Sequence, residues 1–185
     1  GIEVTNLHND YAVLAVQGPD SAKVLSKVGI VADLDYMSFV HTKIDNCPVI
    51  LCRTGYTGEF GFEIIPAWKD AQQVWDKLVK AVSELSGAIC GLGARDLLRT
   101  EMGYPLHGHE LSLTITPVEA GAGWAVGWGK EVFRGRSVLV KQKESGSKLK
   151  LKAIIATDRG IPRKDMQVKD LSGNLIGLVT SGTFS

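Results

Sequence analysis

Apolar residues fall in short runs punctuated by glycine, proline and acidic turns, and the spacing within each run predicts its structure. Tyr11 to Gln17 (YAVLAVQ) is an apolar run closed by Gly18-Pro19. From Asp20 to Val28, Ala22, Val24, Leu25 and Val28 stand at helical spacing, so a strand followed by a helix is predicted. Met37 to Thr42 and Val49 to Arg53 flank the turn cluster Asp45-Asn46-Cys47-Pro48 and read as a hairpin running back across the first strand. Phe60, Phe62 and Ile64 alternate with Gly61 and Glu63, which predicts a half-buried strand with Glu63 on the face opposite the apolar one. Between about Lys69 and Leu85, Val74, Leu78, Val82 and Leu85 mark a helix stopped by Ser86-Gly87. Ala88 to Leu92 reads as a short strand, and Gly93 to Glu101 as a helix with Ala94, Leu97 and Leu98 inward. That order suits an α+β fold of the ferredoxin-like kind, helices packed on an antiparallel sheet.

From Thr114 the texture changes. Gly121, Gly123, Gly127 and Gly129 interleave with Trp124 and Trp128 and forbid a long regular helix, so closely packed irregular chain is expected. After the polar run Lys141 to Lys152, the segments Leu151 to Ala156, Gln167 to Lys169 and Ile176 to Thr180 read as short strands of a second, all-β unit beginning near Ser147.

Composition narrows the classes. With 185 residues, 44% hydrophobic and 22% charged, the chain is long enough for a sizeable core and unlike a disordered, coiled-coil or collagen-like sequence. A net charge of +1 supplies no field for nucleic acid or an anionic membrane. No apolar run approaches the roughly 18 to 20 residues of a membrane span, so the chain reads as soluble. Cys47, Cys52 and Cys90 match no Cys-x-x-Cys pattern and read as reduced, mostly buried thiols in a reducing compartment.

Most chemical motifs fail on inspection. Asp96 stands where a dinucleotide fingerprint begun by Gly91-Leu92-Gly93 needs its third glycine, and Gly129-Lys130 lacks the glycine a P-loop requires. His107 and His109 have no companion ligands, and no metal site is expected. What stands out is polar side chains set among glycines: Tyr56 and Glu63 around Gly55, Gly58 and Gly61, and Arg95-Asp96 after Gly91 and Gly93. Such density lets a planar ligand approach the backbone. On spacing alone, a hairpin turn plus a helix-capping Asp96 and a surface Arg95 accounts for the same residues.

Three motifs carry a resemblance. Arg53-Thr54-Gly55-Tyr56-Thr57-Gly58-Glu59-Phe60-Gly61-Phe62-Glu63-Ile64, Gly91-Leu92-Gly93-Ala94-Arg95-Asp96-Leu97-Leu98-Arg99-Thr100-Glu101 and Thr116-Pro117-Val118-Glu119-Ala120-Gly121 resemble, in the same order, the aminomethyltransferase (T-protein) family of the glycine cleavage system. Leu14 to Pro19 and Gly177 to Thr183 fit the same family. The resemblance implies transfer of a lipoyl-bound aminomethyl group from a carrier H-protein to tetrahydrofolate, with release of ammonia and formation of 5,10-methylenetetrahydrofolate. It implies cofactor contacts by Glu63 and Arg95, and pterin-pocket roles for Tyr56 and Tyr104. It divides the chain into a folate-binding α+β region, 1–145, and the beginning of a small C-terminal β-barrel, 146–185. The location would be cytoplasmic in a bacterium and the mitochondrial matrix in a eukaryote.

The chemistry of these residues agrees with the resemblance. A carboxylate such as Glu63 accepts the paired N–H donors of a pterin edge in a fork, Arg95 offers donors to carbonyl or carboxylate groups, and Tyr56 offers a flat face. The family's aspartate near folate N5 has no counterpart here, so the catalytic residue is expected outside the chain, and the chain reads as the middle of a T-protein that does not catalyse transfer alone. Two alternatives remain. One is the folate-binding module of a dimethylglycine or sarcosine dehydrogenase, and the other a non-catalytic folate-binding iron-sulfur assembly factor, whose K-G-C-Y-x-G-Q-E motif is not matched.

Overall fold

The computed structural model describes residues 1–184 and divides the chain into two compact units, Gly1–Leu98 and Arg99–Ser185. Within the first, the elements run β1 (Leu14–Gln17), α1 (Ser21–Lys27), β2 (Phe39–Ile44), β3 (Cys47–Cys52), β4 (Gly61–Pro66) and α2 (Ala71–Ser83). Helix α3 (Leu92–Glu101) follows. The strands form one antiparallel sheet in the order β1-β4-β3-β2. This is the expected α+β architecture of helices packed on an antiparallel sheet, with one change in pairing. The β2–β3 hairpin does not lie on β1, because β4 enters between them and pairs with both.

Register explains the core. Leu14 and Leu51 flank Ile64, and Val16 faces Phe62. With side chains alternating across the sheet, this places Val16, Val49, Leu51, Phe62 and Ile64 on one face, where they join Val24 and Leu25 of α1 and Val74, Leu78 and Ala81 of α2 in a single cluster. Phe60, expected on that face, precedes β4 and stays 41% exposed. The opposite face carries the alternate residues, and there Glu63 stands between Ala15 and Cys52.

Helix α2 stops where the sequence signals it: the Gly87 amide returns to the Val82 carbonyl at 2.9 Å. The apolar segment Ala88 to Leu92 is no strand. These residues are exposed, and Leu92 opens α3 instead. Asp96 therefore lies inside the helix and not at its cap.

The second unit contains α4 (Arg136–Ser145), β5 (Gln167–Lys169) and β6 (Leu175–Leu178), the last two paired antiparallel. Leu151 to Ala156 is not a strand and lies exposed. The glycine- and tryptophan-rich stretch is irregular, as expected, but loosely packed, with Trp124 on the surface. Helix α4 was not anticipated. Its first turns carry Val138, Leu139 and Val140 in succession rather than at helical spacing, so the apolar period that reveals a helix is missing. Among the described residues no helix is long and apolar enough to cross a membrane.

Candidate functional site

The β3–β4 connection, residues 53–60, is folded over its own strand ends by two side chains. Arg53 donates from Nη1 to the Gly61 carbonyl at 2.9 Å, and its guanidinium carbon sits 3.8 Å from the centroid of the Phe60 ring. Gln17, at the end of β1, donates from Nε2 to the carbonyls of Thr54 (3.3 Å) and Phe62 (3.0 Å), and its Oε1 accepts from the Thr57 hydroxyl at 3.2 Å. The glycines around it now have a physical reason. A Cβ on Gly55 or on Gly61 would collide with the Gln17 side chain, so these positions make room for this polar brace.

The brace presents three of the expected residues. The Glu63 carboxylate, half-buried on β4, accepts at Oε2 from the Thr54 hydroxyl at 2.5 Å, the length of a charge-assisted bond. Tyr56, two residues beyond Thr54, is half-buried, and the Arg95 guanidinium carbon lies 4.6 Å from its ring centroid. Arg95 itself is exposed on α3. Among the described residues no ion pair joins Glu63 to Arg95: Thr54 takes the carboxylate and Tyr56 takes the guanidinium. Neither side chain is enclosed by protein. Burial pushes the Cys52 thiol above its ordinary range, and the charge of Glu63, its partner in the β3–β4 register, adds to that.

Tyr104 belongs to the second unit, where it is half-buried next to a polar core. Arg99, 2% exposed, pairs through Nη1 with Glu110 Oε2 at 3.0 Å and donates through Nη2 to the Ser181 hydroxyl at 2.8 Å. The same Nη1 reaches the Tyr104 carbonyl at 3.3 Å, and the Tyr104 amide donates to the Arg99 carbonyl at 2.8 Å. Glu110 Oε2 also accepts from the Leu106 amide at 3.1 Å. Burial alone would raise the Glu110 carboxyl. Bonds from the hydroxyls of Thr180 and Ser181 and from the Leu106 amide, with the Arg99 charge, overcome it and hold the group below the usual carboxylate range. His109, expected to be plain polar loop, places Nδ1 3.0 Å from the Thr180 carbonyl oxygen, while His107 is exposed.

Sequence reasoning missed Gln17, Thr54, Arg99 and Glu110. Arg99 leaves no periodic trace: it falls one turn after the exposed Arg95, on the stripe that helical spacing turns to water, and yet it is buried. Of the thiols, Cys47 is buried and Cys52 half-buried, but Cys90 is exposed, against the expectation of a core thiol. Among the described residues no group of three or more His, Cys, Asp or Glu is placed to hold a metal ion.

A family model described as the GCVT N-terminal domain matches residues 1–130. The chain belongs to the GCVT N-terminal domain family. Its relatives in that family include the aminomethyltransferase of Parafrankia sp. (strain EAN1pec), 55% identical over 185 residues that make up all of this chain and 51% of the relative. The aminomethyltransferase of Mycobacterium avium (strain 104) is 53% identical over all of this chain and 50% of its own. Thus this GCVT-family chain spans about half the length of the curated relatives it matches. The crystal structure of the glycine cleavage system aminomethyltransferase T from Bartonella henselae superposes with a TM-score of 0.80 at 32% identity, over 94% of this chain and 48% of that one. The names of these relatives favour neither a flavin-linked dehydrogenase module nor an iron-sulfur assembly factor.

Proposed function

We propose that this chain is the tetrahydrofolate-binding part of an aminomethyltransferase of the glycine cleavage system. That enzyme moves the aminomethyl carbon from the lipoyl arm of an H-protein to tetrahydrofolate and releases ammonia. The observation that carries this reading is the 55% identity to an aminomethyltransferase along the whole chain. In this reading residues 1–145 form the folate-binding region, 146–185 open a β-barrel, and the protein acts in the bacterial cytoplasm, since the relatives named above are bacterial.

The residues fit such a ligand. An ionised carboxylate has about four acceptor positions, and Thr54 occupies one on Glu63, which leaves capacity for the paired N–H edge of a pterin. Arg95, held against Tyr56 yet exposed, keeps its N–H edges for a carbonyl or carboxylate. Bound tetrahydrofolate would supply the nitrogen that takes up the one-carbon unit. The contribution of Glu63, Arg95, Tyr56 and Tyr104 is then to hold and orient, a catalysis by positioning. Gln17 and Thr54 keep Glu63 in place before a ligand arrives.

Calorimetric titration of the chain with 5-formyltetrahydrofolate, beside Glu63→Ala, tests the reading. Binding by the parent, weakened by roughly 1.5 to 3 kcal/mol in the variant, supports it. Equal binding by both would remove Glu63 from the site.

A further inference from the structure

The buried Arg99–Glu110 pair has no direct part in the reading above, yet it sits under one of the residues that reading needs. Arg99 holds Tyr104 by both backbone groups, giving a bond to its carbonyl and taking one from its amide. Glu110 takes the Leu106 amide, and the Leu106 carbonyl accepts from the amides of His109, Glu110 and Leu111. The turn 104–111 is therefore wound around one ion pair. Ser181 closes the far side of the guanidinium, and His109 fastens to Thr180 and Ser181. The planar guanidinium, with donors spread over a rigid fork, serves a carboxylate, a carbonyl and a hydroxyl at once.

We propose that Arg99 and Glu110 are positioning residues for Tyr104, fixing the backbone from which its ring meets a folate; this rests on the proposed function. A buried ion pair is in itself weak support for stability, because apolar residues of similar size often serve as well. What apolar residues cannot do is bond the Tyr104 carbonyl and the Leu106 amide. Stability and positioning therefore separate in one variant. Arg99→Met with Glu110→Leu keeps the packing and removes the anchor.

The test uses the whole 185-residue chain, with 5-formyltetrahydrofolate as the probe. The double variant is expected to melt close to the parent, while the Leu106 amide, which loses its carboxylate partner, exchanges with solvent roughly tenfold faster. Affinity is expected to fall roughly tenfold, about the worth of one hydrogen bond. The decisive reading is a cycle: in a Tyr104→Ala background the double change has no further effect on affinity, whereas in a Glu63→Ala background its full effect persists. Should the double variant not fold, Glu110→Gln, which keeps shape and loses charge, is carried through the same cycle. Additive losses with Tyr104→Ala, or unchanged affinity alongside a loosened turn, overturn the proposal. If Glu63→Ala weakens binding and Tyr104→Ala does not, the folate reading stands and this proposal falls. A parent that takes up no ligand removes both.

Discussion

The two units are held together by different physics. In Gly1–Leu98 the fully buried side chains include Leu25, Ile44, Leu51, Phe62, Ile64 and Val74, a cluster of sheet and helix faces of the ordinary kind. Among the described residues of Arg99–Ser185 the buried ones are Arg99, Glu110 and Ala120, with hydroxyls and backbone groups around the two charges. The first unit gains from removing apolar area from water and tolerates small shifts of geometry. The second depends on each partner of a polar network being present, since a buried charge that loses its partner costs more than the pair ever contributed.

The comparison is broken most directly by single truncations. Phe62→Ala removes a ring from the first core and is expected to cost about 3 to 5 kcal/mol. Arg99→Met, although it replaces a charge with an apolar chain of similar length, is expected to cost the second unit as much, about 3 to 5 kcal/mol, because Glu110 is stranded. The contrast appears on repair. Adding Glu110→Leu to Arg99→Met should recover most of the loss, whereas apolar changes around a missing Phe62 recover only what refills the cavity. Hydrogen exchange resolved by segment is the proper measurement, since a single melting curve for two units is not a two-state quantity.

A smaller effect sharpens the same contrast through pH. The Glu110 carboxyl lies below its ordinary value of 4.5 in the fold. A group lowered in this way contributes stability that is fully present above its unfolded value and is lost as pH falls through the folded one. Exchange protection of residues 104–111 should therefore decline on acidification below about pH 4.5, ahead of that of β3 and β4, whose core carries no such group. Glu110→Gln should flatten that acid limb. A decline that coincides in both regions would mean that the network does not govern the second unit.

This difference also decides what the sequence could say. The period-2 run through Phe62 and Ile64 and the helical run through Val74 and Leu78 revealed β4, α2 and the side on which Glu63 lies, because apolar burial leaves a period. A polar core leaves none: Arg99 reads as surface, Glu110 as loop and Ser181 as turn until the fold brings them together. The brace failed for a related reason. The glycines at 55 and 61 were visible, but the side chain they admit, Gln17, is some 40 positions away in sequence, as its bond from Thr57 shows. Which long-range partner fills a glycine gap cannot be read from local spacing.

The smallest predicted effect probes the site face of the first unit. Cys90 is exposed, Cys52 half-buried beside Glu63, and Cys47 buried, so alkylation at mildly basic pH should run in that order. Only the thiolate reacts. Burial raises the Cys52 pKa first and the Glu63 charge adds to it, so Glu63→Gln removes the second cause and leaves the first. Cys52 should then react severalfold faster, with Cys90 as an unchanged internal reference and Cys47 still protected. An acceleration of all three would mean that the sheet had opened. No acceleration at Cys52 would mean that burial alone sets its reactivity and that the Glu63 charge is too well screened by solvent to reach the thiol.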